Sequence, residues 1–167
     1  MNIDIEVPAG LDPRLTALGW LVGSWEGTGN GTDADGNDFT FEQRIQFAPA
    51  DGASMFYLAQ AYRLDSDGKP ADILDVESGF WRPKPDASLE VTLTNAGGWT
   101  EVLVGRIQVT RIDLQTDAVV RTESAAVEHS AGQRLYGQVE GDLMYALDRA
   151  TTTHPLRPHM WARLKRS

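Results

Sequence analysis

The sequence contains no cysteine, which excludes disulfides, thiolate catalysis and cysteine-ligated metal clusters. It also lacks any apolar run near the roughly 20 residues needed to span a bilayer. Lys and Arg number 15 against 24 Asp and Glu, so the net charge is −9 and nucleic-acid phosphates would be repelled. Residues 1–10 lack the features of a signal peptide and predict a loose arm. We therefore expect a cytoplasmic protein that binds neither membranes nor nucleic acids.

Common catalytic motifs are missing as well. The chain has no Gly-x-Ser-x-Gly elbow, no phosphate-binding loop and no His-Glu-x-x-His pair. The basic residues near the C-terminus are interpreted as a solvated last strand and not as a nucleic-acid site. These residues are Arg157, Arg163, Lys165 and Arg166. The sequence therefore gives little support to these catalytic chemistries.

Short alternating segments make up most of the chain. The clearest has Phe39, Phe41, Ile45 and Phe47 on one face and polar residues on the other. About ten such segments, separated by turn sequences, predict an all-β fold. The length fits a single domain over residues 1–167. An up-and-down antiparallel barrel is the simplest architecture, with a two-sheet sandwich as the alternative, and such a barrel can hold one small ligand.

A short helix is predicted before the first strand. Asp12 followed by Pro13 is typical of a helix start, and Leu11, Leu15 and Leu18 follow helical spacing. Gly23 is expected to end this helix, which should then lie across one end of the barrel.

Glycines at alternate positions mark the first strand. In Gly23-Ser24-Trp25-Glu26-Gly27-Thr28-Gly29, the glycines leave one strand face bare, with Trp25 on that same face. A bare face admits either a flat ligand or another part of the backbone, or it serves only to bend the strand at a barrel corner. The residues alone leave these interpretations open.

Three histidines are present: His129, His154 and His159. The last two lie in a segment that Pro155 and Pro158 stiffen, and imidazole is a good ligand for iron, including haem iron. Strict alternation, however, places His159 on the outer face with Trp161. His159 can therefore serve an interior ligand only at the barrel mouth, and a surface role is the simpler alternative.

In sequence, the chain resembles the nitrobindins, a family of haem-binding β-barrels. The similarity runs in order over roughly residues 12–166 and begins with the Gly-x-Trp-x-Gly-x-Gly motif, Gly23, Trp25, Gly27 and Gly29. The further matching segments are Glu77-Ser78-Gly79-Phe80-Trp81-Arg82-Pro83-Lys84-Pro85-Asp86, Arg134-Leu135-Tyr136-Gly137, Gly141-Asp142-Leu143-Met144-Tyr145 and residues 150–159. This ordered set is much more specific than any one of its pieces.

The resemblance implies a ten-stranded barrel that binds haem b, with His159 as the axial iron ligand. It implies that the ferric protein binds nitric oxide and isomerises peroxynitrite to nitrate, and that the haem iron, not a side chain, performs the chemistry. Two positions depart from the family pattern: Asp35 replaces a threonine near the haem, and Val127 replaces a lysine. Both changes disfavour an anionic cofactor.

Two other functions remain open at this point. The same cavity could bind an apolar ligand such as a fatty acid with weak or no haem binding, or the barrel could be filled and serve only as a structural or partner-binding module. Whether the barrel is a monomer or a homodimer is left open too.

Overall fold

The computed structural model describes residues 8–167, so most of the predicted arm, residues 1–7, lies outside the described part. Ten antiparallel strands close into a barrel in which each strand pairs with its neighbours in sequence and the last pairs with the first. The predicted up-and-down barrel is confirmed, and the sandwich is excluded. The strands are β1 (Gly23–Thr32), β2 (Asp38–Pro49), β3 (Met55–Leu64), β4 (Pro70–Pro83), β5 (Ser88–Asn95), β6 (Trp99–Gln108), β7 (Arg111–Arg121), β8 (His129–Val139), β9 (Asp142–Thr151) and β10 (Arg157–Arg166).

A helix of the tight 3-10 type, Pro13–Leu21, covers one end of the barrel. The Asp12 carboxylate accepts a hydrogen bond from the Arg14 backbone N–H at 2.9 Å, as expected of a capping residue. Leu18 and Trp20 of this helix are fully buried against the barrel core. Within residues 8–167, no helix is long and apolar enough to cross a membrane.

Aromatic rings fill the space that the β1 glycines leave bare. Added Cβ atoms would overlap the Phe41 ring at Gly29 and the Phe39 ring at Gly31. These two β2 residues lie directly opposite the two glycines in the register of the sheet. Side chains of the neighbouring strand therefore pack against the bare face of β1. The β1 glycines thus have a structural role and do not make room for a ligand.

The C-terminal basic residues interact with the barrel itself. Arg163 forms ion pairs with Glu140 and Asp142, with its Nε 2.6 Å from the Asp142 carboxylate. The Arg166 guanidinium lies 4.1 Å from the centroid of the buried Trp25 ring and donates to the Trp20 carbonyl at 2.9 Å. These contacts fasten the last strand to the covered end, which we call the closed end.

Candidate functional site

A pocket of about 280 Å³ opens at the end of the barrel opposite the helix, which we call the open end. Its lining comes from β1 to β4, from β9 and the start of β10, and from the β1–β2, β7–β8 and β9–β10 connections. The lining residues are Thr32, Asp33, Ala34, Asp35, Phe39, Arg63, Leu74, Asp75, Val127, Arg149, Thr151, His154, Arg157, Pro158 and His159. Wider grooves of 680, 540 and 490 Å³ follow the outer wall, and their linings contain no histidine.

His159 reaches this pocket because β10 contains a bulge. Pro158 pairs with Asp148 and Met160 pairs with Leu147, so His159 is an extra residue between two consecutive pairs. Strict alternation predicts His159 on the outer face of the barrel. That prediction is wrong, because the bulge turns the His159 side chain toward the pocket. Met160 keeps its buried position while the imidazole lines the pocket.

A backbone carbonyl fixes the orientation of the His159 ring. Its Nδ1 lies 3.1 Å from the Thr32 carbonyl oxygen, and because a carbonyl can only accept, Nδ1 carries the proton. Among residues 8–167, Nε2 has no hydrogen-bond partner. The Phe39 ring meets the imidazole nearly edge-on, with the centroids 5.9 Å apart. The arrangement leaves the Nε2 lone pair free for an electrophile such as a metal.

Burial keeps this imidazole neutral. Burial, assisted by the nearby Arg149 charge, lowers the pKa of His159 from 6.5 to about 4, against an opposing contribution from the Thr32 hydrogen bond. Neutral imidazole is the form that ligates metals. Near neutral pH no proton therefore competes for Nε2.

The charged residues of the pocket balance each other in number. Its lining contains three aspartates, Asp33, Asp35 and Asp75, and three arginines, Arg63, Arg149 and Arg157. Asp35, one of the two departures from the family pattern, therefore lies in the lining together with cations that can offset its charge.

The second departure, Val127, also lines the pocket and supplies apolar surface together with Leu74 and Phe39. Arg63 covers the Phe39 ring with its guanidinium 4.5 Å from the centroid, and Arg157 donates to the Ala34 carbonyl. A neutral imidazole, apolar walls and arginines at the rim are the groups that an iron porphyrin with two carboxylates requires. The residues present fit haem.

A layer of buried polar side chains lies below the pocket. Arg134 binds the Glu77 carboxylate through both terminal nitrogens, and its Nη2 lies 3.9 Å from Glu101. On the other side of this layer, His129 Nε2 lies 2.9 Å from the Glu101 carboxylate. The Tyr57 hydroxyl donates a hydrogen bond to Glu77 at 2.9 Å. His129 thus belongs to this layer, while His154 borders the pocket.

Side chains fill the barrel between the polar layer and the helix. Trp25, Phe47, Trp81 and Tyr136 are all at most 2% exposed. Residues 8–167 therefore leave no long apolar cavity along the barrel axis. A fatty-acid chain would have to fit within the pocket at the open end.

Sequence reasoning missed Arg63, Asp75 and Arg149 as pocket residues. A signal for Arg149 was present, because it follows Leu143, Tyr145 and Leu147 at the two-residue spacing of an inward strand face. The same alternation leads back to Asp75 from Trp81 through Gly79 and Glu77. Charged residues that continue an apolar stripe therefore point into this barrel.

Fold and pocket together define a closed antiparallel β-barrel with a ligand pocket, equipped with a metal-binding imidazole, at its open end. Residues 14–166 match the family described as "THAP4-like, heme-binding beta-barrel domain". The chain belongs to this family, which confirms its membership of the nitrobindins.

Several relatives are similar over nearly their full length. A "Ferric nitrobindin-like protein" of Cutibacterium acnes is 46% identical, covering 97% of this chain and 98% of the relative. A "Peroxynitrite isomerase" of Nocardioides sp. is 43% identical, covering 96% and 98%. Among solved structures, that of Rv2717c from M. tuberculosis matches with a TM-score of 0.80 and 30% identity, covering 94% of this chain and 99% of the other.

Proposed function

We propose that the protein binds haem b in the pocket at the open end, with His159 Nε2 as the axial ligand of the iron. The observation that carries this proposal is the neutral His159 ring, held by the Thr32 carbonyl with Nε2 free in the pocket. Family membership and the similarity to a protein named peroxynitrite isomerase support it. We propose the same activity here: the ferric protein binds nitric oxide and isomerises peroxynitrite to nitrate.

When bound, ferric haem would supply a Lewis-acidic iron with one coordination position open to a small molecule. The side chains of the protein bind and orient the group. The Thr32 carbonyl holds the Nδ1 proton, which fixes the tautomer of His159 and raises its basicity as a ligand. Arg63 and Arg157 at the rim are suited to the cofactor carboxylates, and the Phe39 ring packs edge-on against the imidazole.

A hemin titration of the purified protein, followed in the Soret region, tests this proposal. Loss of a residue that only hydrogen-bonds to a metal ligand weakens metal binding by about 10- to 100-fold. His159→Ala should weaken hemin binding by more than this, because it removes the ligand itself. His154→Ala is the matched control, because His154 lines the same pocket and should leave the spectrum and the affinity nearly unchanged. Equal Soret spectra and affinities for the parent and His159→Ala would contradict ligation by His159.

If hemin gives no specific spectrum in the parent, while a fluorescent lipid probe binds and is displaced by fatty acid, the apolar-ligand alternative is correct. The cytoplasmic location stays a prediction, with which the lack of cysteine is compatible.

A further inference from the structure

One arginine of the pocket differs from the other two in its contacts. Arg149 lies on the inner face of β9 and borders the pocket beside His159. Among residues 8–167, its guanidinium forms no hydrogen bond and no ion pair, and its Nε is fully buried without a partner. The guanidinium carbon lies 5.5 Å from the centroid of the Trp99 ring, in a cation–π contact. A partly desolvated cation in this state is unfavourable unless an anion joins it.

The nearby carboxylates do not supply that anion. Asp75, across the pocket lining, accepts a hydrogen bond from the Asn95 amide at 2.7 Å and forms no ion pair with Arg149. Glu77 is already bound by Arg134. Burial lowers the pKa of Arg149, and the more distant charges of Asp75 and Glu77 offset this only in part. Within residues 8–167, the Arg149 guanidinium therefore has N–H groups that donate to no acceptor.

Arg149 also lies deeper than the other two arginines of the pocket. It borders a second, inner cavity of about 10 Å³ together with His129 and Glu101, which is about the space of one water molecule. Arg63 instead borders a groove of the outer wall, and Arg157 donates to the Ala34 carbonyl at the rim. Rim arginines are suited to carboxylates of a cofactor that extend toward solvent, whereas Arg149 faces the interior.

We propose that Arg149 is the anion-binding residue of the pocket and holds a small planar oxyanion of nitrogen, such as nitrate, nitrite or peroxynitrite. The choice of anion rests on the proposed function; the presence of an anion site rests on the unpaired guanidinium. A planar guanidinium donates two parallel hydrogen bonds to two oxygens of one planar anion, which lysine cannot do. In the proposed reaction, Arg149 would attract the anionic substrate and keep it oriented in the pocket.

The first test uses the haem-free protein, so that its result does not depend on cofactor binding. Arginine Nε–H signals of ¹⁵N-labelled protein are followed by NMR while sodium nitrate replaces sodium chloride at fixed ionic strength. The Arg149 signal, identified by its loss in Arg149→Lys, should move and saturate, whereas the exposed Arg44 should move little. Arg149→Met should abolish the saturable shifts of pocket residues, and Arg149→Lys should bind nitrate about tenfold more weakly than the parent because one charge-assisted hydrogen bond is lost.

Equal, non-saturating shifts of Arg149 and Arg44 would overturn the proposal, because they would show only general screening by salt. So would saturable nitrate binding that survives unchanged in both Arg149→Lys and Arg149→Met. If Arg149→Met does not fold, the comparison of the parent with Arg149→Lys still decides the question.

The second test separates a small anion from a cofactor carboxylate. Hemin and hemin dimethyl ester are titrated into the parent and into Arg149→Met. We expect the substitution to change both affinities by the same small factor, because Arg149 does not bind the carboxylates. A loss of affinity for hemin alone would assign Arg149 to a carboxylate and overturn the proposal. Absence of any Soret change with either porphyrin in the parent would instead refute the proposed function and leave the nitrate result intact.

Discussion

The closed and open ends of the barrel are built from opposite kinds of residue. At the closed end, the fully buried Trp81 meets Phe47 and Tyr136 edge-on, with ring centroids 5.1 Å apart in both cases. At the open end, six charged residues and His159 surround a cavity. Between the two ends lies the buried layer of Glu77, Arg134 and Glu101. The comparison indicates that the two ends have different roles: the closed end stabilises the fold and the open end binds the ligand.

This division explains how the open end tolerates unfavourable features. A histidine kept neutral by burial lowers stability, and so does Arg149, which has no counterion within residues 8–167. Aromatic packing at the closed end offsets such costs, because large rings bury much area and gain from edge-to-face contacts. Substitutions at the two ends should therefore affect different measurements, and the three predictions below run from the largest expected effect to the smallest.

Removing an aromatic ring at the closed end should lower stability most. Trp81→Ala should reduce the free energy of unfolding by about 3–5 kcal/mol, because a full ring is lost from a site that is 0% exposed. Trp161→Ala, on the outer face and 40% exposed, is the control, with an expected change of about 0.5 kcal/mol. Urea unfolding measures both.

The hemin affinity of the folded Trp81→Ala protein should equal that of the parent, since Trp81 does not border the pocket. A large loss of hemin affinity at full folding would contradict the division between the two ends.

Disrupting the buried polar layer should lower the free energy of unfolding slightly less than Trp81→Ala does. Arg134→Met leaves the buried Glu77 carboxylate without its cation and should lower the free energy of unfolding by about 3 kcal/mol near pH 7. In the double variant Glu77→Gln with Arg134→Met, the Glu77 charge is absent and only Glu101 of this layer keeps a buried charge, so part of the loss should be recovered. Urea unfolding of the parent, Arg134→Met, Glu77→Gln and the double variant gives the coupling energy.

The same substitution has a defined pH dependence. Burial raises the pKa of Glu77, but the Arg134 charge and the hydrogen bonds from Arg134 and Tyr57 outweigh it, so the pKa ends below 4.5. The stabilisation is present above the ordinary carboxyl pKa and is lost as pH falls through the lowered value. In Arg134→Met the charge and hydrogen bonds of Arg134 are gone, so burial raises the pKa of Glu77 and the carboxyl takes up a proton as pH falls. The deficit of Arg134→Met should therefore shrink between pH 7 and pH 4. A deficit that grows over this range would contradict the assignment of the charge to Glu77.

The smallest effect concerns His159 in the haem-free protein. Its pKa is lowered from 6.5 to about 4, so the folded protein binds fewer protons than the unfolded chain, and stability falls as pH drops below 6.5. Protonation of this one group in the unfolded chain should lower the free energy of unfolding by roughly 2.5 kcal/mol between pH 7 and pH 4.5. His159→Gln should lose less stability than the parent between pH 7 and pH 4.5 and should match its slope between pH 7 and pH 8. Parallel curves over the whole range would show that the imidazole is not buried as described.

Much of the fold was predictable from local patterns. Alternation in β2, the capping residue Asp12 and the turn sequences led to an all-β barrel with a short helix at one end, because period and turn chemistry are properties of neighbouring residues. The place of His159 in the pocket was only partly predictable. Its stiff, proline-flanked segment and the family resemblance pointed to it, while strict alternation pointed outward.

By itself, the amino-acid sequence determined which strands form, which faces they bury and which family the chain resembles. The tertiary structure alone decided that a bulge turns His159 inward and that Phe39 and Phe41 occupy the space beside the β1 glycines. It also decided that, among residues 8–167, Arg149 has no ion-pair partner while Arg134 binds Glu77. The physical reason is that burial, register and charge pairing depend on residues far apart in the chain. Glu77 and Arg134, 57 positions apart, meet only when the barrel closes.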